Sequence, residues 1–117
     1  MKPKVILVCG SHKRGDKEHV FRVLDSIVQY LDTDFAIVHG GANFIDNFAD
    51  QWAKQNGYCS ICVNANWNFF ENKAGPVRNG WMLKFINIDL VVAFDGDNGT
   101  KDMIKKAKAS GVAVYES

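Results

Sequence analysis

The chain has 117 residues, of which 47% are hydrophobic and 23% are charged, with a formal net charge of +1. This length and apolar content are typical of a single domain, residues 1–117, with one hydrophobic core. The small net charge gives no broad positive field, so duplex nucleic acid is not an expected partner. No signal peptide or membrane-spanning run is recognisable, and we therefore expect a cytoplasmic protein without a membrane partner.

Short apolar runs alternate with segments of helical periodicity along the whole chain. The predicted strands cover residues 5–9, 35–39, 58–63, 90–94 and 112–115. The predicted helices cover about 17–31, about 43–55, a segment that begins near Pro76, and a segment from Thr100 to Ser110-Gly111. A strict alternation with short connections requires parallel strands and right-handed crossovers. We therefore predict an α/β fold: a three-layer sandwich with a five-stranded parallel sheet, strand order 3-2-1-4-5, and four helices.

Three cysteines are present, and two of them form a C-x-x-C pattern. Cys59 and Cys62 lie in a predicted strand, where residues three apart face opposite sides of the sheet. We therefore expect no shared metal ion and no disulfide between them, and we predict that both, like Cys9, are small buried thiols. The expected protein contains no metal and no cofactor.

Glycine-bearing loops follow the first, second and fourth predicted strands, with the sequences CGSHKRGD, HGGANFID and FDGDNGT. In the predicted sheet all three loops emerge at the carboxyl edge, where the strand order reverses. One such loop is an ordinary turn, but three together, two of which lead directly into helices, favour a ligand that carries phosphate or ribose. Neither G-x-G-x-x-G after the first strand nor the P-loop pattern is present, so the phosphate cradle belongs to another class.

Four sequence features occur in an order that is more specific than any one of them. They are HGGANFID, Trp67, KAGPVRNGWM at 73–82 and GDNGTKDM at 96–103. Together they resemble the SLOG superfamily, and in particular its short YspA-like branch, over nearly the whole chain. The resemblance implies a Rossmann-like domain of a bacterial or phage protein. It also implies binding of a nucleotide or an ADP-ribose-derived small molecule, for sensing or for sequestration.

The resemblance and the three loops together give a set of predicted ligand-binding residues. Backbone N–H groups of the glycines would face the ligand, although each glycine also suits a tight turn. Arg78 is the strongest candidate, because a cation in the first turn of a helix is unfavourable without an anion, and we expect its guanidinium to face solvent when no ligand is bound. The full set is Gly10, Ser11, Arg14, His39, Gly40, Gly41, Asn43, Asp46, Trp67, Arg78, Asn79, Gly96, Asn98, Gly99 and Thr100.

Two members of this set have a second interpretation. Asp46 could accept from a ribose hydroxyl, and it could equally stabilise the positive end of its own helix. Thr100 could donate to a phosphate, cap the helix that follows it, or do both.

An enzyme that acts on N-glycosidic or phosphoribosyl bonds is the alternative function. The related phosphoribohydrolases carry a glutamate three residues after the threonine of their G-T turn, and this position is Met103 here. Asp102 is adjacent but is rotated by about 100° around the helix. Catalytic residues are therefore unassigned, with His39 and His12 as the acid–base candidates, neither of which has a recognisable carboxylate partner in the sequence.

A homo-oligomer is also expected, and an oligomeric scaffold is the second alternative. The connection from residue 64 to residue 75 is long for a small domain and rich in aromatic residues, which is typical of a functional or interface segment. The aromatic side chains proposed for subunit contacts are Trp67, Phe70 and Trp81.

Overall fold

A computed structural model of the protein describes residues 4–10, 16–31, 34–41, 44–94, 96 and 98–117. The strands are β1 (Lys4–Cys9), β2 (Phe35–His39), β3 (Cys59–Cys62), β4 (Leu90–Ala93) and β5 (Ala113–Glu116). The helices are α1 (Lys17–Leu31), α2 (Phe44–Gln55), α3 (Trp67–Phe70), α4 (Ala74–Phe85) and α5 (Asn98–Ala109). All strand pairs are parallel and the order is β3-β2-β1-β4-β5. The predicted fold class and strand order are confirmed.

Local contacts at the helix ends explain where α1 begins and where α2 ends. The Asp16 carboxylate accepts from the backbone N–H groups of Glu18 and His19 and thereby caps the start of α1. At the end of α2, Gly57 adopts a positive φ of 75°, and Tyr58 N donates to the carbonyl of residue 53 over 2.8 Å. Glycine is favoured at this position because the left-handed conformation strains a residue with a Cβ.

Two hydrophobic layers cover the two faces of the sheet. The first packs α1 and α2 against Ile6 and Ile37, with Trp52 buried at its centre and its indole N–H donating to Asp25 over 2.9 Å. The second packs α4 and α5 against the opposite face, and its largest fully buried side chains include Leu7 and Met103. Because successive residues of β1 enter different layers, this central strand is apolar along its length.

The connection that follows β3 contains more regular structure than expected. It forms α3 and a single 3-10 turn over Glu71–Lys73, and α4 begins at Ala74 rather than near Pro76. The described residues therefore form five α-helices where four were predicted. Since α5 begins at Asn98, Thr100 lies within its first turn, and the interpretation of Thr100 as the N-cap is wrong. Within the described ranges, no helix is long and apolar enough to span a bilayer.

The prediction of buried thiols is wrong for both cysteines of the C-x-x-C pattern. Cys59 and Cys62 are exposed and Cys9 is half-buried, and none of the three forms a disulfide. The reason is the strand order, which places β3 at the edge of the sheet, where it has one neighbouring strand rather than two. Apolar character in an edge strand therefore did not indicate burial.

Candidate functional site

The carboxyl ends of β2, β1 and β4 lie side by side at one edge of the parallel sheet. Gly10 follows β1, Gly40 and Gly41 follow β2, and Gly96 lies between β4 and α5. The predicted convergence of the three glycine-bearing loops at this edge therefore agrees with the topology. The first turn of α5, with Asn98 and Gly99 exposed, begins at the same edge.

The structure gives no side-chain information for five of the residues predicted from the sequence. Ser11, His12, Arg14 and Asn43 lie outside the described residues. Trp67 is the first residue of α3, and only its place in the chain is described. The proposed roles of these five residues remain predictions.

Close approach of the protein's own side chains accounts for several of the glycines. A Cβ on Gly40 would overlap the guanidinium of Arg78, and a Cβ on Gly10 would lie 2.7 Å from Cγ1 of Ile45. Gly41 has a φ of 66°, which is a conformation that favours glycine. Local packing and backbone geometry thus disfavour a larger residue at these positions, whether or not a ligand binds.

The guanidinium of Arg78 connects the ends of two strands. Its Nη1 donates to the carbonyl oxygens of Gly40, over 3.1 Å, and Val63, over 3.3 Å, while its Nε donates to Oδ1 of Asn79 over 3.0 Å. The side chain is half-buried, so the expectation that it faces solvent is wrong. Its partners are all neutral, and no described carboxylate forms an ion pair with it. Among the described residues, no carboxylate therefore lies at ion-pair distance from Arg78, and in this sense we call its charge unbalanced.

The buried amide of Asn79 connects α4 to α5. Its Nδ2 donates to the carbonyl oxygen of Gly99 over 3.2 Å and to Oδ2 of Asp102 over 3.0 Å. The same carboxylate oxygen accepts from Nζ of Lys106 over 2.8 Å. The consecutive residues Arg78 and Asn79 thus hold together the chain segments that follow β2, β3 and β4. We call these contacts the arginine network.

A second network surrounds the imidazole of His39, which is buried. Its Nδ1 accepts from the backbone N–H of Gly41 over 3.1 Å, so the ring proton of the neutral imidazole resides on Nε2. Nε2 lies 3.3 Å from Oδ1 of Asp50 and 3.2 Å from Oγ of Ser60. The hydroxyl of Ser60 in turn donates to Asp50. We call these contacts the histidine network, and it supplies the carboxylate partner that the sequence did not reveal.

The histidine network does not have the geometry of a nucleophilic triad. A serine–histidine–aspartate triad places the serine and the carboxylate on different ring nitrogens. In this protein Ser60 and Asp50 both lie at Nε2 of His39, while Nδ1 is occupied by a backbone N–H. His39 therefore positions the turn at Gly41 and does not activate Ser60.

Hydrogen bonds and charges around these networks shift two pKa values. The hydrogen bond from Ser60, together with the ion pair to Lys54, lowers the pKa of Asp50 to about 2. Partial burial of the sulfur, with the negative charges of Asp46 and Asp50, raises the pKa of the Cys62 thiol. Asp50 is thus held as a carboxylate, and Cys62 is held as a thiol that is a weak nucleophile.

The remaining predicted residues are buried near the same edge. Asp46 lies in the first turn of α2 and Thr100 in the first turn of α5, and both side chains are almost fully buried. Met103, at the position of the hydrolase glutamate, belongs to the core beneath α5. Sequence reasoning missed Asp50 and Ser60, and it also missed Val63, which contributes only a backbone oxygen.

Known proteins share both the sequence pattern and the fold. Residues 4–70 match the family described as YAcAr, the YspA, cpYpsA-related SLOG family. The chain is 29% identical over 116 residues to the Gene 61 protein of Mycobacterium phage D29, a match that covers 93% of this chain and 92% of that protein.

Two solved structures resemble the whole fold. The protein TM1055 aligns with a TM-score of 0.71 at 17% identity, over 97% of this chain and 72% of that one. DNA processing protein A of Streptococcus pneumoniae aligns with a TM-score of 0.71 at 22% identity, over 97% of this chain and half, 50%, of that one. At these identities the two structures support the fold alone.

Proposed function

The chain belongs to the YspA, cpYpsA-related SLOG family, and on this premise we propose that it binds a nucleotide or an ADP-ribose-derived small molecule. The proposed site is the carboxyl edge of the sheet. It extends from the ends of β2 and β3, where Arg78 makes its contacts, across the point between β1 and β4 where the strand order reverses. Open parallel sheets of this kind bind their ligands at that point. The biological role that we propose is sensing or sequestration of the ligand.

The observation that carries the proposal is the unbalanced charge of Arg78. A half-buried cation whose described partners are all neutral oxygens has lost part of its hydration without gaining a counterion. A phosphate group beside the guanidinium would supply that counterion through charge-assisted hydrogen bonds. A planar guanidinium suits the paired oxygens of a phosphate better than an ammonium does.

The neighbouring first turn of α5 supports a phosphate at the same place. Asn79 links the backbone of Gly99 to the helix that carries Arg78, so the start of α5 and the guanidinium belong to one connected region. The start of a helix has a positive partial charge and favours anions. A ligand phosphate between Arg78 and the first turn of α5 would interact favourably with both.

Binding without turnover is favoured over hydrolysis. The position that carries a glutamate in the related hydrolases is Met103, which is apolar and lies in the core. Asp102 is the nearest carboxylate along the chain, and it is already engaged by Asn79 and Lys106. An enzyme would therefore need an acid–base group other than the one used by those relatives.

The test begins with native mass spectrometry of freshly purified protein, which would reveal the mass of a retained ligand. Calorimetry with ADP-ribose, adenosine monophosphate and inorganic phosphate then measures affinity. We expect Arg78→Ala to weaken binding of the phosphorylated probe by about ten- to a hundredfold, the equivalent of about 1.4–2.7 kcal/mol.

Lys105→Met is the matched control, because it also removes one positive charge from α5, but from an exposed lysine outside the arginine network. We expect it to change affinity by less than about threefold. Absence of binding by the wild type, or equal losses in the two variants, would contradict the proposed site. Release of free base from the nucleotide probes, abolished by Asp102→Asn, would instead favour the enzyme.

A further inference from the structure

Helix α4 has apolar side chains on the face that points away from the sheet. Its buried residues, which include Asn79 and Met82, define the inner face. The outer face carries five residues at spacings of three and four, which form one stripe: Val77, Gly80, Trp81, Lys84 and Phe85. A helix that buries only one face normally presents polar residues on the other. The outer stripe of α4 departs from this rule.

Helix α3 extends the apolar surface beside this stripe. The rings of Phe69 and Phe70 meet edge to face with centroids 4.8 Å apart, and Phe70 meets Trp81 in the same way at 5.7 Å. Phe69 is 76% exposed, Trp81 47% and Phe85 72%. We define Phe69, Phe70, Trp81 and Phe85 as the aromatic face.

Gly80 lies in the middle of the stripe, and no contact among the described residues requires a glycine there. A Cβ at this position would meet no atom within 4 Å beyond its neighbours and its own helix backbone. Glycine within a helix costs about 1 kcal/mol relative to alanine. Close approach of another molecule explains a glycine at such a place, because it leaves room for a large side chain.

We propose that the aromatic face binds a second copy of this chain, with the two α4 helices antiparallel across a twofold axis. In an antiparallel pair centred between residues 80 and 81, Trp81 of each copy lies opposite Gly80 of the other. A large side chain thus faces an open position twice in the same interface. Such self-complementarity is what a twofold dimer requires, and antiparallel helix dipoles also attract one another.

The area of the aromatic face is sufficient for a substantial part of a dimer interface. Aromatic side chains bury about 150–250 Å² each. With the exposures given above, Phe69, Trp81 and Phe85 alone offer about 400 Å² per copy. A standard interface buries about 800 Å² per partner, so the three side chains would provide about half of it, and the rest of the stripe and α3 would add to this.

Sedimentation velocity of the full chain, from about 1 to about 100 μM, tests the proposal. We expect a dimer for the wild type and a monomer for Trp81→Glu over the whole range. Gly80→Leu is the sharper variant, because its Cβ enters space that is open among the described residues and leucine favours the helix. It should raise the dimer dissociation constant by at least about tenfold while the thermal midpoint of the diluted monomer stays equal or rises.

Tyr30→Glu is the control, since Tyr30 is an 89% exposed aromatic residue on α1, in the layer on the other side of the sheet. It should leave the dimer intact. A monomeric wild type at the highest concentration would overturn the proposal, and so would a Gly80→Leu dimer of unchanged affinity. If Tyr30→Glu dissociated the dimer as strongly as Trp81→Glu does, the interface would lie outside the aromatic face.

Discussion

The histidine network binds the backbone N–H of Gly41, and the arginine network binds the carbonyl oxygen of the adjacent Gly40. The two networks differ in whether their charged groups are paired. In the histidine network the negative charge of Asp50 is met by Ser60 and by the ammonium of Lys54. In the arginine network the guanidinium of Arg78 is met only by neutral oxygens. The two networks lie on opposite faces of the sheet, one with α2 and the other with α4.

This difference separates structural polar residues from those available to a ligand. Both networks lie in predicted binding motifs, and both position backbone groups of Gly40 or Gly41. An added anion contributes little binding energy at a network whose charges are already paired. Beside an unbalanced cation, the anion supplies the missing counterion and binds more strongly. On this basis we propose that His39 belongs to the scaffold and Arg78 to the ligand site.

The largest expected effect is the loss of the histidine network in the absence of ligand. His39→Ala should lower the free energy of unfolding by about 2–4 kcal/mol, because it removes the buried imidazole that accepts from the N–H of Gly41 and disrupts the contacts of Asp50 and Ser60. Arg78→Ala should cost only about 1 kcal/mol, because the loss of its hydrogen bonds is partly offset by removal of an unbalanced charge. Urea unfolding of both variants measures the two values.

His39→Asn is an informative control, since its side-chain oxygen can still accept from Gly41 N–H. Its free energy of unfolding should lie between those of the wild type and His39→Ala. If Arg78→Ala lowered the free energy of unfolding as much as His39→Ala, both networks would be structural, and charge balance would not distinguish them.

An intermediate effect is expected from alanine at the two adjacent glycines. Gly41→Ala should lower stability by about 1–2 kcal/mol, because φ is 66° and the new Cβ would lie 2.5 Å from Sγ of Cys62. At Gly40 the new Cβ would approach the guanidinium of Arg78, which can shift at the cost of its hydrogen bonds, so Gly40→Ala should lower stability by less than about 1 kcal/mol. Thermal melts of the two variants compare them directly, and a larger loss for Gly40→Ala would reverse the proposed ranking of the networks.

The smallest effect is a pH dependence that belongs to the histidine network. The pKa of Asp50 is lowered to about 2 from an ordinary value of 3.8, so its contribution to stability is present above pH 4 and is lost as the pH falls toward 2. The lowered pKa alone corresponds to a decrease of about 2 kcal/mol in the stability of the wild type relative to Asp50→Asn between pH 6 and pH 2. Solvent screening of the partly exposed carboxylate reduces the expected decrease to about 1 kcal/mol. Chemical unfolding at several pH values measures this difference, and a difference that stays constant with pH would show that Asp50 is not held by these partners.

The sequence predicted the fold well because strands and helices alternate with distinct periodicities, and a parallel sheet follows from that alternation. It failed for Cys59 and Cys62 because an apolar run has the same appearance in an edge strand and in a central one. It located Arg78 through a motif, but the carbonyl oxygens that receive its hydrogen bonds carry no side-chain signal. Asp50 and Ser60 were missed because their approach to His39 depends on how α2 and β3 are placed in space.

The central position of β1 also affects the order in which the protein folds. The register pairs Lys4 with Phe35 on one side of β1 but Ile6 with Leu90 on the other. Closing the longer loop costs about 1 kcal/mol more conformational entropy, so we expect β1 and β2 to associate before β4 docks. Asp89, which directly precedes β4, then stabilises its docking on β1. Its carboxylate accepts from Val5 N over 2.8 Å, and its own N–H donates to Val5 O over 2.9 Å. During that interval one edge of β1 is unpaired, and an unpaired apolar edge can recruit strands from other nascent chains.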